Sequence, residues 1–239
     1  KFSTMTASRT LTNSTTTSTR MRNNLVIYNT PDWLKAFTTG KGVEPEQLGI
    51  GQDALVLPRQ THSDHVLWSQ KAGRPEDTDA VITDSLGLCV CVKTADCIPI
   101  LLYDARQRIV AAVHAGWRGT VAGIVRKTIK EMMPLSPADI HAIIGPGISL
   151  ECFEVGDEVY DVFQREQFPM QRIARRFPAV GGESWHIDLW EANRWLMEQE
   201  GVTDIFVQGI CTRNSMDFYS ARRETINTGR NYNGIMILK

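Results

Sequence analysis

The residues best equipped for chemistry in this chain are His62, Cys97 and His114. Gln60-Thr61-His62 follows one short apolar run. Lys93-Thr94-Ala95-Asp96-Cys97-Ile98-Pro99 lies between two others, and Val110-Ala111-Ala112-Val113-His114 closes a further one. Such runs read as buried strands, and strand ends are where α/β sheets build their sites. The three residues are too widely spaced to be a local metal motif, so only folding can bring them together. Two imidazoles and one thiolate would leave a fourth position on zinc for water, as catalytic zinc sites do, and the ion would lower the pKa of that water. The same residues allow a second chemistry, with Cys97 as nucleophile and His114 as its base. A third reading has no chemistry in it: a buried thiol and two satisfied polar histidines.

Around these three stand residues suited to supporting roles. Asp96 adjoins Cys97 and is expected to orient a ligand histidine from behind. Gly116 and Arg118 belong to a glycine-bracketed turn, Ala115-Gly116-Trp117-Arg118-Gly119, that feeds a helix start. Free amides and a guanidinium there could hold phosphate. Gly145-Pro146-Gly147 makes a second such turn. Arg59 and the pair Arg222-Arg223 are further anion contacts, and Phe153 and Tyr219 could stack on a planar base. His65 is expected to open a strand and face elsewhere. Cys89 and Cys91 are expected on opposite faces of a strand, and Cys211 as a buried thiol.

The elements that must position these groups are legible as apolar runs parted by turn signals. Strands are expected at 25–28, 54–57, 65–68, 80–83, 88–92, 98–103, 109–114, 140–144, 205–207 and 235–238. Several are apolar on both faces, which predicts a sheet covered on both sides. Thr30-Pro31-Asp32 predicts a helix running through Trp33, Leu34 and Phe37. Val121, Ile124, Val125, Thr128, Ile129 and Met132 recur at helical spacing, Val159, Val162 and Phe163 mark a second helix, and Asp188 with Glu191 caps a third that ends at Gly201. The expected architecture is a single α/β (α+β) domain over residues 25–239, a mixed β-sheet flanked by helices. Residues 1–24 are a Thr/Ser-rich segment with little to bury, read as a mobile loop or extended edge.

Composition narrows the function classes. A chain of 239 residues with a net charge of −1 offers no basic surface for nucleic acid, so no nucleic-acid partner is expected. No apolar run approaches a membrane span, and no signal peptide is visible behind a first residue that is not Met. Five cysteines, an odd number without framework spacing, favour a reducing compartment and a cytoplasmic protein. The oligomeric state is open between monomer and homodimer.

Gln60-Thr61-His62, Thr94-Ala95-Asp96-Cys97-Ile98-Pro99, His114-Ala115-Gly116-Trp117-Arg118-Gly119, Ile144-Gly145-Pro146-Gly147-Ile148, Cys152-Phe153-Glu154-Val155-Gly156 and Cys211-Thr212 together form a signature series. From about Leu55 to the C-terminus, with Thr228-Gly229-Arg230 near its end, the chain resembles the polyphenol oxidase or laccase-domain (YfiH/YlmD-like) family, whose members are regarded as purine nucleoside phosphorylases. The resemblance implies a mixed α/β fold and His62, Cys97 and His114 as ligands of zinc, with copper as the alternative. It implies phosphorolysis of adenosine, inosine, guanosine and methylthioadenosine, with adenosine deamination. Purine nucleosides and phosphate would then be the partners. Copper-dependent oxidation of phenols and a cysteine hydrolase of cell-wall peptides are the competing enzymes; a metal-stabilised interaction module is the non-enzymatic one. Dedicated multicopper chemistry needs many paired histidines, and the chain has five in all. Near the N-terminus, Phe2-Ser3-Thr4 leads to Met5 where the family has an arginine and then a glycine-rich loop that helps hold substrate. Either Arg9 or Arg20 substitutes, or activity is altered, or residues are missing from the numbering.

Overall fold

The computed structural model describes residues 20–22, 24–132 and 136–239. They form two six-stranded sheets and a three-stranded one. The first sheet runs β1 (Arg20–Arg22), β2 (Leu25–Ile27), β3 (Leu34–Thr39), β15 (Asn231–Ile237), β7 (Cys89–Thr94), β4 (Leu55–Val56). The second runs β14 (Asp204–Val207), β10 (Ile140–Ile144), β8 (Ile98–Asp104), β9 (Ile109–Ala115), β6 (Ala80–Thr83), β5 (Val66–Trp68). Both are mixed: β4 with β7, β10 with β14 and β5 with β6 are parallel, and the other pairs antiparallel. The small sheet orders β11 (Glu154–Val155), β13 (Gly182–Ile187), β12 (Ala174–Ala179).

Side chains alternate across a strand, so a doubly covered sheet needs apolar residues at every position. On β8, Leu101 and Tyr103 face the first sheet and pack with Val90, Val92 and Ile235. Ile98, Ile100 and Leu102 face the other way, onto the helices. Those helices are α1 (Trp117–Val121), α2 (Ile124–Met132), α3 (Asp157–Arg165), α4 (Met170–Ile173) and α5 (Leu189–Gln199). The layers are therefore sheet on sheet, with helices over the outer face of the second. Where a single mixed sheet was expected, the apolar runs divide between two that share a core.

Two local expectations are corrected. Pro31 opens a turn, with Leu34 N donating to Pro31 O (2.8 Å), instead of a helix. The segment through Phe37 is β3, because pairing with β2 and β15 on both sides satisfies its backbone. The helical spacing from Val121 to Met132 is split at Gly123, whose φ of 74° no continuous helix accepts, into α1 and α2. The β12–β13 hairpin carried no sequence signal, since exposed Arg175 and Arg176 break any apolar alternation. By contrast β6 and β10 fall on their expected residues, and Asp188 caps α5 by accepting from Glu191 N (3.0 Å). Of the Thr/Ser-rich segment, Arg20–Arg22 forms an extended edge paired with β2; Met5, Arg9 and the Thr tract lie outside the described residues.

Candidate metal centre and cavity

Two of the three candidate residues sit where the chain leaves one large sheet for the other. His62 lies between β4 and β5, and Cys97 between β7 and β8; His114 is the penultimate residue of β9. These crossings place two non-glycine residues at positive φ, His62 at 62° and Asp96 at 89°. Such a backbone costs energy and persists only where its surroundings hold it.

For His62 the holder is Asp79. Its carboxylate is fully buried, just before β6, and accepts the N–H groups of Thr61 (3.1 Å), His62 (3.1 Å) and Ser63 (2.8 Å), with the Ser63 hydroxyl at 2.7 Å. Successive amides wrapped around an anion form a nest. Gln60 clamps the same loop to β7: its side-chain amide donates to Lys93 O and accepts from Lys93 N, both at 2.8 Å. The Asp79 carboxylate also receives His114 Nδ1 at 2.7 Å. That bond fixes the ring and leaves Nε2 free as a ligand.

The result is convergence. The ligand atoms of His62, Cys97 and His114 all lie within 4.8 Å of one another, and among the described residues they are the one His/Cys/Asp/Glu group of this kind. Cys97 Sγ is 3.9 Å from His62 Nε2, and the two imidazole rings meet edge to face with centroids 4.9 Å apart. Burial pushes the Cys97 thiol up, but the charge of His114 and hydrogen bonds from both histidines outweigh it, bringing it down to about 6. Burial pushes His114 down, yet the Cys97 charge and the Asp79 bond raise it to about 9. Asp79 itself stays well below the usual carboxylate range despite its burial, through the bonds from His114 and Ser63. A thiolate and two oriented imidazoles are a donor set that fits zinc or copper.

The group opens into a cavity of about 560 Å³. Its lining includes four cationic residues, Arg59, Lys93, Arg222 and Arg230, and the apolar Ile148, Phe153 and Ile226. Arg222 reaches over the Phe153 ring (5.5 Å to its centroid) and donates to Glu154 O at 3.2 Å. Arg59 is exposed and pairs loosely with Glu76 (3.4 Å).

The other expected site residues divide. Asp96 lines the cavity but touches neither histidine. Its carboxylate accepts from Thr212 Oγ1 (2.6 Å) and Arg222 N (2.7 Å), so it braces the cavity wall. The orienting carboxylate is Asp79, which the sequence reading passed over; its one signal is an acid placed immediately before an apolar strand. Gly116 is at the site for a steric reason, since a Cβ there would sit 3.1 Å from Cys97 Sγ and 3.2 Å from His62 Cδ2. Arg118 is not in the cavity wall: it is exposed on α1, folded over the Trp117 ring at 4.4 Å. Gly147 is a packing glycine, with Ile98 Cδ1 2.4 Å from where a Cβ would stand. Tyr219 packs on Gly229 outside the lining, and His65 turns away to pair with Asp77 (2.9 Å). Cys89 and Cys91, two apart on one strand, share a face and a core cluster, as the period of two requires. Lys93 and Arg230 had no assigned role and prove to line the cavity; Lys93 is the penultimate residue of β7 and Arg230 immediately precedes β15.

Known proteins resemble this arrangement's host closely. A family model described as multi-copper polyphenol oxidoreductase laccase matches residues 40–238. A purine nucleoside phosphorylase of Bacteroides thetaiotaomicron is 45% identical over 203 residues, covering 78% of this chain and 74% of that one. An adenosine deaminase RL5 from an unknown prokaryotic organism is 42% identical over 79% of this chain and 77% of its own. Among solved structures, the hypothetical protein YfiH of Bacillus licheniformis superposes with a TM-score of 0.82 at 26% identity, covering 92% of this chain and 99% of that one.

Proposed function

We propose, for a chain that belongs to the multi-copper polyphenol oxidoreductase laccase family, the activity of a metal-dependent purine nucleoside phosphorylase that also deaminates adenosine. The observation that carries this reading is the His62–Cys97–His114 group opening into a cavity lined by both cationic and apolar side chains. Relatives at 45% and 42% identity bear the names of those two activities.

Phosphorolysis needs a phosphate oxygen held against the ribose C1′ while the purine leaves. Arg59, Lys93, Arg222 and Arg230 supply positive charge to hold and screen the anion, which converts a two-body encounter into a positioned one. Phe153, Ile148 and Ile226 offer the apolar surface a purine ring requires. His62, Cys97 and His114 would hold zinc, with copper as the alternative, and the bound ion would supply Lewis acidity and a water of lowered pKa. Asp79 keeps His114 in the ligating tautomer, and Asp96 braces the Arg222 wall. All five cysteines are free thiols, which supports a reducing, cytoplasmic setting. No helix among the described residues is long and apolar enough to cross a membrane.

The test is inosine and phosphate with metal-replete protein, expected to yield hypoxanthine and ribose-1-phosphate; adenosine should yield inosine and ammonia. Absence of both products at high enzyme concentration rejects the proposal. Phenol oxidation, favoured by the family's description, is the second reading. It predicts turnover of a phenol proportional to bound copper, and a single two-histidine, one-cysteine group does not supply the paired histidines of a multicopper cluster.

A further inference from the structure

Cys152 and Cys211 are remote in sequence and adjacent in space. Gly147 and Cys211 form a backbone bridge, with Gly147 N donating to Ile210 O (3.2 Å) and Thr212 N to Gly147 O (2.9 Å). From there the chain turns through Ser149, whose N–H donates to Cys211 Sγ (3.4 Å), and Cys152 N bonds back to Ser149 O (3.0 Å). The Cys152 thiol reaches back to Asn214 Oδ1 (3.4 Å), in the turn that Ser215 N closes onto Cys211 O (2.9 Å). Each thiol therefore reaches the turn that carries the other, and both are free, one buried and one half-buried.

We propose that Cys152 and Cys211 are a redox-active thiol pair, closing to a disulfide by exchange with a small disulfide of the glutathione type. The more accessible Cys211 attacks as thiolate; the S–S bond of the small molecule breaks, a mixed disulfide forms on Cys211, and one small thiolate leaves. Cys152 then loses its proton to the solvent, attacks the Cys211 sulfur and expels the second small thiolate. Two protein thiols are oxidised and one small disulfide is reduced. Burial raises the Cys211 thiol, but hydrogen bonds led by those from Ser149 outweigh it and lower it below the ordinary range, which favours Cys211 as the attacking group.

Closure acts on the cavity wall through the residue that follows each cysteine. Phe153 follows Cys152, whose carbonyl accepts from Arg222 Nη1 (3.4 Å). Thr212 follows Cys211 and holds Asp96, which in turn holds Arg222 N (2.7 Å). Drawing the two sulfurs into bonding distance shifts both Phe153 and the Asp96–Arg222 brace.

The experiment equilibrates metal-loaded full-length protein with glutathione and glutathione disulfide at graded ratios, quenches with an alkylating agent, and reads intact mass and peptide maps. The expected result is an internal loss of about 2 Da with a Cys152–Cys211 peptide, reversed by dithiothreitol. Cys211→Ser should abolish it, and Cys152→Ser should halt at a mixed disulfide on Cys211. In the oxidised wild type, KM for phosphate should rise at least about threefold, a shift the small free-energy change of a displaced contact accounts for. Both cysteines remaining alkylatable at every ratio, or either cross-linking to Cys97 instead, overturns the proposal. The mass readout needs no turnover, so its outcome is independent of whether the chain phosphorolyses nucleosides.

Discussion

Replacing Asp79 with Asn isolates the role assigned to its charge. The carboxylate is fully buried and accepts from His114 Nδ1 and Ser63 Oγ at 2.7 Å, and from the backbone of Ser63, Thr61 and His62 at 2.8, 3.1 and 3.1 Å. Asn presents one acceptor and one NH₂ group. Turned one way, the NH₂ confronts His114 and the His62 amide; turned the other, it confronts Ser63 and Thr61. Either way, buried donors lose their partner at about 1–3 kcal/mol each. His114 can escape by moving its proton to Nε2, which blocks the nitrogen that faces Cys97. Loss of such a supporting partner lowers metal affinity about 10–100-fold, or roughly 1.4–2.7 kcal/mol. The assay is competition for zinc against a chelator of known affinity, alongside urea unfolding of the metal-free protein. Asp96→Asn is the control: its partners are Thr212 and Arg222, so zinc affinity should stay within about threefold. A folded Asp79→Asn protein with wild-type zinc affinity would refute the argument.

Other outcomes follow from the same geometry. Gly116→Ala places a Cβ 3.1 Å from Cys97 Sγ at an ordinary φ, so the protein should fold but bind zinc at least about tenfold more weakly in the same competition. In metal-free protein, Cys97 is lowered to about 6 and His114 raised to about 9. The thiolate–imidazolium pair is thus complete between those values. Its contribution to stability is lost as pH falls through about 6 and again as it rises through about 9. Alkylation of Cys97 should show a midpoint near pH 6; a midpoint at the ordinary thiol value sinks the pairing. Lys93→Ala should raise KM for phosphate about 10–100-fold, the worth of one charged contact, whereas Arg118→Ala should leave it within about twofold. Reversal of that order would place the anion at the helix start and not in the cavity.

Much of the site's cast was readable before any fold. The apolar runs that become β6, β8, β9 and β10 mark their own ends, and His62, Cys97 and His114 stand at or just beyond such ends. Local chemistry also predicted the Asp188 cap of α5, because a cap needs only neighbours three residues away. Two expectations failed on local grounds, the opposite faces assigned to Cys89 and Cys91 and the unbroken helix across Gly123; the others that failed were decided by distant partners. Pro31 was compatible with a helix start, and pairing with β2 and β15 made β3 instead. Asp96 was chosen as the histidine's support for its adjacency to Cys97; the fold instead supplied Asp79.

The chain alone determined which side chains could bind a cation and where strands would end, since residue type and period two are local properties. It determined neither the division into two packed sheets nor the carboxylate behind His114, nor that Arg118 folds over Trp117 while Lys93 and Arg230 face the cavity. Those depend on which strands meet and how the chain crosses between sheets. Contacts between residues far apart in sequence settle both, and no window of neighbouring residues contains them.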